Sequence, residues 1–201
     1  MTKRNSSHRR NRKKEQLKKK NPPVGMITMG VGIVLIGLAA LLMLPKADSV
    51  VSAPEEYSSI PMEVSYDAPE LELENLAGEP ESLEDYRGQV VLVNLWATWC
   101  PPCKAELPVL QEYYEDHLAE GFVILGIDSQ EKPEKVEEYI ATTDVSYTIW
   151  IDEHGDAGLA FSSYSLPASF VIDREGTVRL AWTGAISKPM LEEHVTLIIE
   201  E

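Results

Sequence analysis

Two cysteines stand in the 201-residue chain, and both belong to one stretch, Trp99-Cys100-Pro101-Pro102-Cys103. Thiols at i and i+3 lie about one turn apart on the same helical face, close enough to pair. That spacing suits thiol–disulfide exchange. One thiolate attacks a foreign disulfide, and the second thiol resolves the mixed disulfide that results. Other uses fit less well. A bridge that closes so short a loop constrains the unfolded chain weakly, so stabilisation is not its purpose. A structural zinc needs four ligands, and His8, His117, His154 and His194 supply no second pair at ligand spacing. A structural zinc is therefore not expected, and the exchange reading implies no metal and no organic cofactor.

The chemistry needs the pair to be held in a particular way, and the flanking residues supply it. Val90–Trp96 (VVLVNLW) is a nearly continuous apolar run and reads as a central strand buried on both faces. From Pro101 to about Leu118, Leu107, Leu110, Tyr114 and Leu118 recur at helical spacing. The motif thus falls where a strand passes into a helix, with Cys100 at the helix N-terminus. Free N–H groups and partial positive charge favour a thiolate there. Cys100 is accordingly the attacking thiol, and Cys103, deeper in the helix, the resolving one. Pro101 and Pro102 are tolerated in a first turn. They also remove two N–H donors from the neighbourhood of the Cys100 sulfur, which predicts a less stabilised thiolate and a more reducing couple.

The remaining pattern alternates strands and helices. A strand near Leu71–Leu76 and a helical turn at Ser82–Tyr86 precede the central strand. After the long helix come a strand at Phe122–Ile127, a helix at Pro133–Thr142, a strand at Tyr147–Ile151 and a short helix at Asp156–Phe161. A hairpin of Ser169–Ile172 and Val178–Trp182 and a closing helix at Lys188–Ile199 complete the chain. This order implies an α/β fold with a mixed, partly parallel sheet. Trp96, Trp150 and Trp182 read as packing residues, His194 as structural or exposed, and the acidic run Glu131–Glu138 as a solvated helix face.

Residues 90 to 110, VVLVNLWATWCPPCKAELPVL, resemble the thioredoxin superfamily, and within it the membrane-anchored, extracytoplasmic TlpA/ResA-like proteins. Ser165–Asp173 resembles that family's cis-proline segment, and the resemblance extends over roughly residues 65 to 200. It implies a thioredoxin fold, a mixed central sheet flanked by helices, over 67–201. It implies that Pro167, preceded by Leu166, is the cis-proline beside the active-site disulfide. It implies that Glu106 serves the dithiol as a proton acceptor, and that Pro108 kinks the helix. Trp99, Pro101, Pro102, Leu166 and Pro167 are then the substrate-contacting set beside catalytic Cys100, Cys103 and Glu106. One departure stands out: where thioredoxins proper carry a buried acid on the strand before the motif, this chain has Asn94. The implied activity is reduction of disulfides in apocytochrome c or other exported proteins, with electrons exchanged through a membrane thiol protein. Two other chemistries stay open at this level. Two soft thiolates can hold copper(I), as in a chaperone for respiratory assembly, although related folds of that kind use Cys-x-x-x-Cys. A thiolate can also reduce peroxide, although the Pro-x-x-x-Thr/Ser-x-x-Cys context of peroxiredoxins is absent here.

Charge divides the chain. Ten of its 18 Lys+Arg lie between Lys3 and Lys20, whereas from Pro45 onward 8 basic and 32 acidic residues give 8 − 32 = −24. So acidic a region repels nucleic acid. Between the two lies Val24–Leu44, 21 residues without a charge. At helical rise it spans about 30 Å, the hydrocarbon thickness of a bilayer. The run exceeds a signal-peptide core of about 7–15 residues and no small-x-small cleavage site follows, so an uncleaved anchor is expected. Basic residues are retained in the cytoplasm, which predicts a single-pass protein of the bacterial cytoplasmic membrane. The organisation expected is a cytoplasmic tail (1–23), a transmembrane anchor (24–44), a linker (45–66) and an extracytoplasmic domain (67–201). Nothing in the sequence demands more than a monomer.

Overall fold

An apolar run flanked by turns must be covered on both faces, and all seven residues of Val90–Trp96 are buried. The computed structural model describes residues 58–201. Its strands are β1 (Met62–Asp67), β2 (Glu72–Asn75), β3 (Pro80–Ser82), β4 (Val90–Trp96), β5 (Phe122–Ser129), β6 (Thr148–Asp152), β7 (Ala168–Ile172) and β8 (Thr177–Thr183). Its helices are α1 (Pro101–His117), α2 (Pro133–Ile140), α3 (Asp156–Ala160), α4 (Lys188–His194) and α5 (Thr196–Ile199). The sheet order is β1-β8-β7-β4-β5-β6-β2-β3. β4, β5 and β6 are parallel, and the other pairs are antiparallel.

Alternation along β4 divides its side chains between two cores. Val90, Leu92 and Trp96 join Leu107, Leu110 and Tyr113 of α1 and Leu191, Val195 and Ile198 near the C-terminus. Val91, Val93 and Leu95 join Leu71, Trp150, Phe161 and Phe170 on the other side. Asn94 shares the parity of Leu92 and Trp96 and so points toward α1. Both cores close around one strand, which fixes the place where its C-terminal end delivers the chain into α1.

The structure departs from the sequence pattern in several places. The linker expected over 45–66 ends early, because Met62–Asp67 forms β1. That strand is mostly exposed and is held by pairing with β8, Met62 opposite Ala181 and Asp67 opposite Thr177, rather than by a buried face. β3, only three residues long, exists by pairing with β2. On α1 the buried tyrosine is Tyr113, packed edge-on against Phe122 with its hydroxyl 3.0 Å from Thr196 Oγ1, whereas Tyr114 is half-buried. Leu118 is exposed in a 3-10 turn that ends at Gly121, a left-handed position (φ 73°). α2 stops at Ile140, and the closing helix is split at Val195. The basic tail, the Val24–Leu44 run and the rest of the linker to residue 57 lie outside the described residues.

Candidate active site

The β4–α1 junction is a tight turn. Cys100 N–H donates to Ala97 O at 3.2 Å, which closes Ala97-Thr98-Trp99-Cys100. Cys100 is the N-cap of α1, in extended conformation, and Pro101 and Pro102 follow at the first helical positions, both exposed. The Cys100 sulfur accepts the Cys103 N–H at 3.3 Å, and its carbonyl accepts the Lys104 N–H at 3.2 Å. The two cysteines form a disulfide with a Cα–Cα distance of 5.3 Å. Both are buried, Cys100 at 3% exposure and Cys103 at zero, while Trp99 beside them is 63% exposed. Trp99 is therefore a surface residue and not a core one.

The Leu166–Pro167 peptide bond is cis. Pro167 is buried, and its carbonyl accepts the Gly184 N–H at 2.8 Å. β7 starts at the next residue, with Ala168 opposite Leu95 of β4. That register brings residues 166 and 167 alongside the turn leading to Cys100. Leu166 and Trp99 line one surface hollow of ≈ 360 Å³ together with Leu95, Leu159 and Tyr164. Leu159 and Tyr164 are exposed and apolar, and sequence reasoning did not single them out. They lie in and after a short helix whose spacing carries no signal of its own.

Glu106 sits one turn beyond Cys103 and is almost wholly buried, so it is not a solvated helix residue. Asn94 Nδ2 donates to Glu106 Oε1 at 2.8 Å and also to Ser169 Oγ at 3.0 Å, and Ile186 N–H donates to Oε2 at 3.3 Å. Burial pushes the Glu106 carboxyl up to about 8 in spite of the Asn94 and Ile186 donors. The neutral residue on β4 thus takes the part of a hydrogen-bond partner to an acid supplied by α1.

A second carboxyl approaches from the β5–α2 loop. Glu131 precedes Lys132, the N-cap of α2, so it lies outside the helix, and it is 6% exposed. Thr98 N–H donates to Glu131 Oε2 at 2.5 Å and Thr98 Oγ1 to Oε1 at 2.8 Å. Lys135 forms an ion pair with the same group. The expectation of a solvated face over 131–138 fails at its first residue, because the loop turns Glu131 inward. Glu134, Glu137 and Glu138 are exposed as expected. Asp128, on β5 opposite Trp96, is fully buried, with Glu131 as its neighbour. Burial first, and then the neighbouring Glu131, push its carboxyl up to about 8, so Asp128 carries the proton of the pair.

Comparison with known proteins agrees with this geometry. The AhpC/TSA family pattern matches residues 64–181. The chain belongs to that family. It is 32% identical over 137 residues to the thiol-disulfide oxidoreductase ResA of Bacillus thuringiensis subsp. konkukian, covering 68% of this chain and 79% of the relative. It is 37% identical over 134 residues to the thioredoxin-like protein YneN of Bacillus subtilis, covering 65% and 77%. Among solved structures, a DsbE-type thiol:disulfide interchange protein from Chlorobium tepidum superposes with a TM-score of 0.63 at 26% identity, covering 67% of this chain and 96% of that one.

As an AhpC/TSA-family protein with a thioredoxin-like fold, the chain is a thiol–disulfide oxidoreductase whose protein substrates contain thiols or disulfides. Its site can do three things chemically. Cys100 and Cys103 carry the two-electron couple. Glu106 offers a buried carboxyl, pushed up to about 8, one turn beyond Cys103. Trp99, Leu166, Leu159 and Tyr164 offer an apolar surface beside the sulfur pair.

Proposed function

We propose that the protein is a membrane-anchored reductant of disulfides in exported proteins, including apocytochrome c, with its catalytic domain outside the bacterial cytoplasmic membrane. The observation that carries the direction of electron flow is the poverty of donors at the Cys100 sulfur. Its backbone bond comes from Cys103 N–H alone, since Pro101 and Pro102 have none to give. A thiolate so little stabilised makes the dithiol easy to oxidise. The uncharged run Val24–Leu44 and the basic tail before it support the anchor and its orientation.

In the reductive half-reaction the Cys100 thiolate attacks one sulfur of the substrate disulfide. That S–S bond breaks, a mixed disulfide forms and the first substrate sulfur leaves as thiolate. Glu106 takes the Cys103 proton, and the Cys103 thiolate attacks Cys100 Sγ, releasing the second substrate sulfur. The substrate gains two electrons, and the protein is left with the Cys100–Cys103 disulfide. A membrane thiol protein returns two electrons to restart the cycle. Trp99, Pro101, Pro102, Leu166 and Pro167 hold the substrate segment across the sulfur pair.

The test is the reduction potential of the full chain in detergent, equilibrated with defined thiol–disulfide buffers. A value near that of thioredoxin, about −270 mV, supports the reductant reading. A value near about −120 mV makes the protein an oxidant and removes the apocytochrome role.

A further inference from the structure

Trp99 and Cys100 occupy the last two positions of one turn, yet they are secured differently. Cys100 is tied into α1 through its sulfur, by Cys103 N–H, and through its carbonyl, by Lys104 N–H. Trp99 has no such hydrogen bond among the described residues, and it is 63% exposed. The residue before it, Thr98, is buried, and both of its polar hydrogens go to one acceptor, the Glu131 carboxylate.

Glu131 is itself held from several directions. The loop that carries it turns at Gln130, a non-glycine residue in the left-handed region (φ 63°), whose N–H donates to Asp152 O at 2.7 Å. A left-handed backbone at a residue with a Cβ persists only where its surroundings impose it. Here the imposed turn swings the next side chain back over the end of β4. Lys135 pairs with the carboxylate from α2, and the buried carboxyl of Asp128 lies on its β5 side. A buried carboxylate with charge-assisted bonds is a rigid anchor, because releasing it leaves an unpaired charge.

We propose that Glu131 is a positioning residue that sets how Trp99 is presented to a polypeptide substrate, and so governs partner recognition separately from the reactivity of the Cys100 thiol. The inference rests on the reading above that Trp99 touches the substrate. Losing the Glu131 anchor frees the Thr98–Trp99 half of the turn, while Cys100 keeps its two helix bonds. Discrimination between a peptide disulfide and a small one is then what suffers.

The experiment compares rate constants of the reduced full chain in detergent with two probes, insulin and hydroxyethyl disulfide, the latter too small to engage Trp99. For Glu131→Ala the insulin-to-hydroxyethyl-disulfide ratio is expected to fall about tenfold, the equivalent of one charge-assisted hydrogen bond. Glu131→Gln, whose side-chain oxygen still accepts the Thr98 N–H, should recover most of that ratio. Thr98→Val loses only the hydroxyl bond and serves if Glu131→Ala does not fold; its ratio should fall by a smaller factor in the same direction. An unchanged ratio in the folded variants overturns the proposal, as does a Gln variant no better than Ala. Trp99→Ala separates the two readings. If it leaves the ratio unchanged, the substrate-binding role of Trp99 has failed; if it lowers the ratio while the Glu131 and Thr98 variants do not, only the positioning role of Glu131 has failed.

Discussion

Two buried glutamates approach the cysteine motif, one from α1 and one from the β5–α2 loop, and they end in opposite states. Both pay for desolvation. Glu106 meets only neutral donors, Asn94 and the Ile186 N–H, and its carboxyl is pushed up to about 8. Burial also pulls Glu131 upward, but Lys135, both Thr98 donors and the Asp128 proton outweigh it and hold the group below its ordinary value. Burial raises a carboxyl, and the character of its partners decides whether that rise prevails. The uncharged pocket gives a carboxyl raised to about 8. The charged pocket gives a fixed ion that can hold a backbone in place.

The contrast can be broken most forcefully at Glu106. Glu106→Gln cannot accept the Cys103 proton, and release of product from a Cys100 mixed disulfide should slow about 100-fold in single-turnover measurements. An unchanged release rate would mean that the proton leaves by another route. Next in size is Glu131→Ala, which strands the Thr98 N–H and hydroxyl and leaves Asp128 without its partner. Urea unfolding should show a loss of about 2–3 kcal/mol. A loss below about 0.5 kcal/mol would show that the loop relaxes to satisfy these groups.

A pH series separates the two glutamates by sign. Glu106 is raised, so between the unfolded value near 4.3 and about 8 the folded chain holds a proton that the unfolded chain has lost. Stability should fall with rising pH across that window, by at most about 1.4 kcal/mol per pH unit from this group, and Glu106→Gln should flatten the slope. Asp128, also raised, contributes in the same direction. Glu131 is lowered, so its contribution is present above the unfolded value and disappears as pH drops through the folded one; Glu131→Gln should flatten the acid limb instead. The smallest effect is expected at Lys135, whose side chain is 56% exposed. Lys135→Ala should cost less than about 1 kcal/mol in the same urea assay.

How much of this was legible in the residues follows from the same contrast. β4 and α1 were plain, because an unbroken apolar run and a helical period both report burial directly. The cysteines declared themselves by spacing, and the cis bond before Pro167 by its resemblance to a known segment. Glu106 was visible as a candidate by its resemblance to a family glutamate one turn past the dithiol, but its burial was not, since a glutamate on a helix gives no sign of the face it occupies. Glu131 was misread because it stands at the head of an acidic run. The signal that could have found it is Pro133, which marks the helix start and leaves Glu131 in the preceding loop. Asp128 follows the apolar run that ends at Ile127 and looks like a turn residue until its neighbour across the sheet is known. β1 was lost for the opposite reason: it is a strand by pairing alone, with almost no buried side chain to set a pattern.

Both margins of the sheet are poor templates for growth. β1 carries a register shift between Glu63 and Tyr66, and two of its six side chains are carboxylates. At the far margin β3 is three residues long and begins with a proline that offers no N–H. Irregular pairing, like charge and a missing donor are the usual ways of stopping one extended chain from zipping onto another. A protein proposed to reduce exported proteins meets extended chains among them. Its margins leave the encounter to the cysteine face, so that clients are handled at the sulfur pair and not accumulated along the sheet as the start of a cross-β aggregate.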